Sequence, residues 1–152
     1  MIKKTIFVVV LAAFLTIVYA DENAKNIPMA EIEDCLKTKT DITTMEKCSN
    51  RNLMQFFHLD YEQYDEHLYY KNKEALSVEE LLIVKAKDRE DLATVKDAVD
   101  ERIESQIKTY DSYGPAQAAM LKNAIVSTKG NYLFYCTGED ADHYEEVFKR
   151  VI

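Results

Sequence analysis

Leu81-Leu82-Ile83-Val84-Lys85-Ala86 is a short apolar run, and it gives way almost at once to a pattern with a different period. Leu92, Val95, Val99, Ile103, Ile107 and Tyr110 recur at spacings of three and four. The run reads as a strand, and the stripe as one face of a helix of about 20 residues whose other face is charged. Asp88 opens that helix, with Asp91 placed three residues later as in a capping box. A strand and a one-sided helix each expose an apolar surface that the other can cover, so strands and helices should share one core. The chain has only 3 Gly and 2 Pro in 152 residues, which argues against a turn-rich β-sandwich and against a linker-like chain.

The pattern partly repeats downstream. Gly114-Pro115 stops one helix and starts a short Ala-rich one, with Met120 and Leu121 turned inward. Ile125 to Lys129 and Tyr132 to Thr137 read as two strands around the dipeptide Gly130-Asn131, which suits a two-residue hairpin. Gly138 ends the second strand. A final helix from Glu139 to Ile152 carries Tyr144, Val147, Phe148 and Val151 on one face. Upstream, the aromatic stretch Tyr64 to Tyr70 reads as a strand, joined to the next by the polar segment Lys71 to Ser77. The expected fold is therefore α+β. Two strand-strand-helix units form an antiparallel four-stranded sheet with helices on one face, preceded by a short helical N-terminal segment.

The first twenty residues read as an address. Lys3 and Lys4 are followed by an apolar run from Ile6 to Val18, and Val18-Tyr19-Ala20 has the small residues of a cleavage site. The run is short for a membrane span, which needs about 20 residues. The reading is a secretory signal peptide over 1–20, with an uncleaved anchor as the alternative. Residues 21–44 follow as an N-terminal helix, begun by Pro28 and carrying Met29, Ile32 and Leu36, with flexible flanks. Residues 45–152 read as a single α+β domain, starting with a short helix within Met45 to His58.

Without residues 1–20 the chain carries 17 basic and 27 acidic residues, a net charge of −10. Such a charge favours solubility and repels polyanions, so nucleic acid is excluded as a partner. Membrane contact is expected only if the N-terminal segment is retained.

Several short motifs in order resemble one family. They are Glu80-Leu81-Leu82-Ile83-Val84-Lys85-Ala86-Lys87-Asp88, then Tyr113-Gly114-Pro115 with Gln117, then Asn123-Ala124, then Lys129-Gly130-Asn131-Tyr132. Over about Met45 to Val151 the chain resembles the domain of unknown function 4358 family, found in exported proteins and lipoproteins of clostridia-like bacteria. The resemblance implies a bacterial, exported, single-domain protein and implies no reaction. The chain lacks the lipid-attachment Cys that many such proteins carry.

The sequence contains no GxGxxG, P-loop, GxSxG, HExxH or CxxC pattern. His58 and His67, with Asp60, Glu62, Asp65 and Glu66 between them, have no established ligand spacing, and no metal or cofactor is assigned. Cys136 and His143 lack an identifiable third group, so no catalytic residue is assigned. Tyr61, Tyr64, Tyr69 and Tyr70 form a candidate binding surface, because tyrosine joins apolar area to a polar tip. In an oxidising compartment Cys35 and Cys48 are the candidate disulfide pair, with Cys136 free, provided the two Cα atoms come within about 7 Å. Three reduced thiols are the alternative.

The functional expectation is a secreted or extracytoplasmic, non-enzymatic binding or accessory module of the cell envelope. Its partner is a protein or a wall polymer. The competing class is a small extracytoplasmic hydrolase or metal-dependent enzyme with an unrecognised site.

Overall fold

The computed structural model describes residues 2–152. Six α-helices and one five-stranded sheet make up the described residues. The helices are α1 (Ile2–Glu22), α2 (Met29–Lys39), α3 (Asn50–Phe57), α4 (Leu92–Tyr110), α5 (Pro115–Lys122) and α6 (Ala141–Val151). The strands are β1 (Glu46–Lys47), β2 (Glu66–Lys71), β3 (Glu80–Lys85), β4 (Ile125–Lys129) and β5 (Tyr132–Thr137). They run antiparallel in the order β1-β2-β3-β5-β4. The α+β class is confirmed, and the sheet has five strands where four were expected. The addition is β1, a two-residue edge strand of Glu46 and Lys47 opposite Lys71 and Tyr70. Two charged residues show no alternation, so the sequence read this stretch as helix. That helix starts only at Asn50, where the Ser49 backbone N–H and Oγ both donate to Asn52 Oδ1.

The helices cover both faces of the sheet, which corrects the one-face expectation. Leu68, Tyr70, Leu81, Ile83, Phe134 and Cys136 pack on one side with residues of α2 and α6. Tyr69, Leu82, Val84, Leu133 and Tyr135 pack on the other with residues of α3 and α4. Every residue of β3 and β5 is consequently buried. A strand covered on both sides loses the apolar–polar alternation, and this is why both read as unbroken apolar runs. Met29, Ile32 and Leu36 sit in the first cluster, so α2 is built into the same core rather than standing apart as an N-terminal appendage.

Other details follow from local chemistry. The helix expected from Asp88 begins as a 3-10 turn, Arg89–Asp91, and no side-chain capping bond forms at Asp88. At Gly130-Asn131 the two-residue hairpin forms with Lys129 opposite Tyr132, and Gly130 takes φ +57°. Its missing side chain also admits Ala24, since a Cβ on Gly130 would lie 2.7 Å from that of Ala24. Ile27 is fixed beside it, because the Tyr132 hydroxyl accepts from its N–H (2.9 Å) and donates to its C=O (2.6 Å).

The described side chains of helix α1 take no part in this core. Its side chains from Lys4 to Tyr19 are all exposed. The side chains of Ala20, Asp21 and Glu22, at the expected cleavage point, lie outside the described residues. Among the described residues no helix is long and apolar enough to cross a membrane.

Val95 and Val99 of α4 are fully buried against the sheet, with Ile103 partly buried beside them. Val99→Asp places an unpaired charge there and should destabilise by about 3 kcal/mol or more. Thermal or urea unfolding checks this, and an unchanged transition would show that the stripe is not core.

Candidate functional site

The most concentrated chemistry lies inside the α4 side of the sheet. Tyr69 and Tyr135 flank Leu82 on the two neighbouring strands. Glu80 lies two residues before Leu82 on β3, and so on the same face. Its carboxylate receives Tyr69 Oη at 2.8 Å and Tyr135 Oη at 2.9 Å, one on each oxygen. Arg102 reaches down from α4 and completes the set, with Nε 2.6 Å from Oε1 and Nη2 2.7 Å from Oε2. The side chains of Glu80 and Arg102 are 1% and 9% exposed, so this fork-to-fork pair is shielded from water.

Aromatic rings enclose the pair. The Arg102 guanidinium lies 4.8 Å from the Phe56 ring centroid and 5.0 Å from that of Phe57. Phe57 in turn meets Tyr69 and Tyr135 edge-on, at 5.3 and 6.0 Å. Burial pushes the Tyr69 and Tyr135 hydroxyls well above their usual range, and the Glu80 charge adds to it. Burial alone would lower the Arg102 value, but the Glu80 bond and charge outweigh it and raise it. Both tyrosines therefore stay neutral donors and Arg102 stays charged. With four donors on one carboxylate, the arrangement is a structural pin rather than a proton-transfer centre.

Outside the pin, α3 and α4 border a cavity of about 100 Å³ lined by Phe56, His58, Arg102, Ser105 and Gln106 among others. Gln106 Oε1 is buried there with no partner among the described residues. A second depression of about 270 Å³, also bordered by Phe56, is lined by Cys48 with Glu46, Lys47, Lys71 and Lys73. Burial, with the nearby Glu46 charge, pushes the Cys48 thiol up to about 11, so it is not a thiolate at neutral pH.

The opposite face carries a second polar knot. Glu33 of α2 accepts from Tyr70 Oη at 2.6 Å and pairs with Lys47 at 2.6 Å and Lys37 at 2.8 Å. Burial raises its carboxyl, but the bonds from Lys37, Lys47 and Tyr70 outweigh this and hold it down at about 2.

The structure does not assemble the tyrosine surface. Tyr61 is 39% exposed, whereas Tyr64, Tyr69 and Tyr70 are 5%, 1% and 4% exposed. Neighbouring positions on β2 point to opposite faces, and because both faces are covered, Tyr69 and Tyr70 are each buried. The candidate Cys35–Cys48 bridge is not formed either, and all three thiols are free in the structure. Cys35 packs against the α2–α6 cluster and Cys48 against the α3–α4 cluster, on opposite sides of the sheet. Cys136 is buried, while His143 is exposed with its ring Nε2 3.0 Å from the Lys39 carbonyl. Among the described residues no group of three or more His, Cys, Asp or Glu side chains is placed to hold a metal ion. Sequence reasoning missed Glu80 and Arg102 as a pair. Arg102 stands three residues after Val99, inside the apolar stripe, and that position was the available signal.

Residues 38–138 match the family described as Domain of unknown function (DUF4358). The chain belongs to this family. The stretch matched to DUF4358 spans β1 to β5 and includes every member of the Glu80 pin, while α6 and nearly all of α2 lie outside it. No curated protein and no solved structure matches the chain.

Two outcomes follow for this DUF4358 member. Glu80→Ala strands the Arg102 charge inside the core and should cost about 3–5 kcal/mol. Replacing the pair together, Glu80→Leu with Arg102→Met, should cost clearly less. Urea unfolding decides, and equal losses in the two variants would show that the pair is not the operative contact. The second outcome concerns acid. The folded Glu33 carboxyl titrates below its ordinary 4.5, so its contribution is fully present above that pH and fades as pH falls towards about 2. Glu33→Gln should flatten the stability profile in that window, and an unaltered slope would remove Glu33 as the source.

Proposed function

We propose that this protein is carried out of the cytoplasm by its N-terminal helix and acts there as a binding or accessory module of the cell envelope. The observation that carries the reading is α1 itself. Phe7 is 66% exposed, Phe14 60% and Ile17 68%, on a helix that the folded core does not use. So much apolar area needs a cover outside the fold, and a translocation channel followed by lipid offers one. Lys4 precedes the apolar run, as an export signal requires.

The binding half of the proposal rests on how the polar groups are used. Glu80, Arg102, Tyr69 and Tyr135 are engaged with one another, as are Glu33 and Tyr70. Exposed Leu76 (65%) and Tyr113 (64%) leave apolar area at the surface near α5. This combination favours a role in contacting a protein or wall polymer over one in transforming a small substrate.

Expression of the full chain in a secreting bacterial host, followed by fractionation and intact-mass measurement, tests the export step. The expected product lies outside the cytoplasm and begins at Asp21. Val10→Asp, a charge in the middle of the apolar run, should leave the protein inside with Met1 or Ile2 first. Wild-type protein found intact in the cytoplasm would overturn the proposal. An intact chain in the membrane fraction would replace the cleaved signal by an anchor.

A further inference from the structure

Helix α5 packs by one side only. Ala118 and Leu121 are buried against Val78 and Tyr110. Its other side, with Ala116, Ala119 and the half-buried Met120, borders two depressions of about 530 and 210 Å³. The two share Ala116 and Met120 and so adjoin along the helix, and together they are taken as one grooved surface. Ile125, at the start of edge strand β4, lines one end, and Leu76 of the β2–β3 connection lines the other. A side chain as large as Leu76 left 65% exposed at a groove's edge is apolar area without a partner in this chain.

The rim of the groove has one sign of charge. Glu74 and Glu79 stand on the β2–β3 side, and Glu139 and Asp142 on the α6 side. Glu79 is held by Asn72 Nδ2 at 2.6 Å and receives Ser77 Oγ at 3.4 Å, both neutral donors that leave its charge uncompensated. Lys122, the cation of α5, lies 3.7 Å from Asp111, which is not among the lining residues. Low-dielectric walls between like charges focus the field into the groove.

We propose that this groove receives a segment of a partner protein in which lysine or arginine alternates with aliphatic residues. The aliphatic side chains cover Ala116, Met120 and Leu76, and the cations meet the acidic rim. This names the partner chemistry of the binding role above and rests on it. The chain's strongly negative charge would also steer such a segment in and repel an acidic one.

The test uses protein purified as it accumulates in the secreting host. It is titrated with a fluorescently labelled ten-residue peptide of alternating lysine and leucine. The same peptide with glutamate for lysine, and with serine for leucine, serves for comparison. The lysine–leucine peptide should bind at least tenfold more tightly than either. Glu74→Lys with Glu139→Lys should weaken it tenfold or more. Asp97→Lys with Glu104→Lys, the same charge change on the exposed side of α4, should alter it less than twofold. Leu76→Ser should weaken it three- to fivefold. All five substituted side chains are exposed, so the fold should survive, and circular dichroism checks that it does. Equal losses from the two double variants would reduce the effect to bulk charge attraction and overturn the proposal. Full binding by Leu76→Ser would also overturn it. A dimer of the unmodified protein that Leu76→Ser dissociates would assign the groove to a second copy instead. Fractionation reads location and the titration reads binding, so the two proposals fail separately.

Discussion

The Glu80 carboxylate is the constraint that the α4 side of this structure answers to. A carboxylate at 1% exposure is tolerable only if its lone pairs are filled and its charge is met. Arg102 must therefore come from α4, Tyr69 from β2 and Tyr135 from β5. The guanidinium then needs flat neighbours, which Phe56 and Phe57 of α3 supply. One buried charge thus specifies the register of three strands and the placement of two helices. A slip of β2 by one residue would turn Tyr69 away and put Tyr70 in its place, taking Tyr70 from the opposite face, where it serves Glu33. The gain from such a pin lies more in selecting one arrangement than in raw stability, since an apolar substitute of similar volume often does as well energetically.

Much of the fold was legible from the chain. The α4 stripe, the Gly130-Asn131 hairpin and the α6 face each rest on a strong local period or a specific turn residue, and each is found where the pattern put it. The layer count was not legible by the same route. An unbroken apolar run such as Leu81-Leu82-Ile83-Val84 is itself the mark of a strand covered on both faces, and the one-face reading passed over that mark. Strand β1 carries no mark at all. Its two charged residues pair because the chain between α2 and α3 runs along β2, which is a tertiary fact.

The candidate sites were the least legible, for a related reason. Tyr61, Tyr64, Tyr69 and Tyr70 look like one cluster in sequence, yet strand alternation and the two-sided cover separate and bury most of them. Cys35 and Cys48 look like neighbours across a loop, yet the sheet lies between their packing sites. Glu80 and Arg102 are separated in the chain by 21 residues, and only the antiparallel return of α4 over the sheet brings them together. Proximity in sequence misled wherever a sheet intervened, and distance misled wherever a helix folded back.

The N-terminal end shows how the chain enters the fold. Helix α1 ends at Glu22, and Ala24 is already seated on Gly130. Ile27 then has both backbone groups bound by the Tyr132 hydroxyl, and the Met29 N–H reaches both oxygens of Glu66 at 3.2 Å. Gly130 meets two demands at once, since the hairpin needs its positive φ and Ala24 needs the space its side chain would fill. Any larger residue there strains the turn and lifts the incoming chain together. No free linker therefore separates the apolar helix from the folded body. The β4–β5 turn therefore sets where the chain enters the domain.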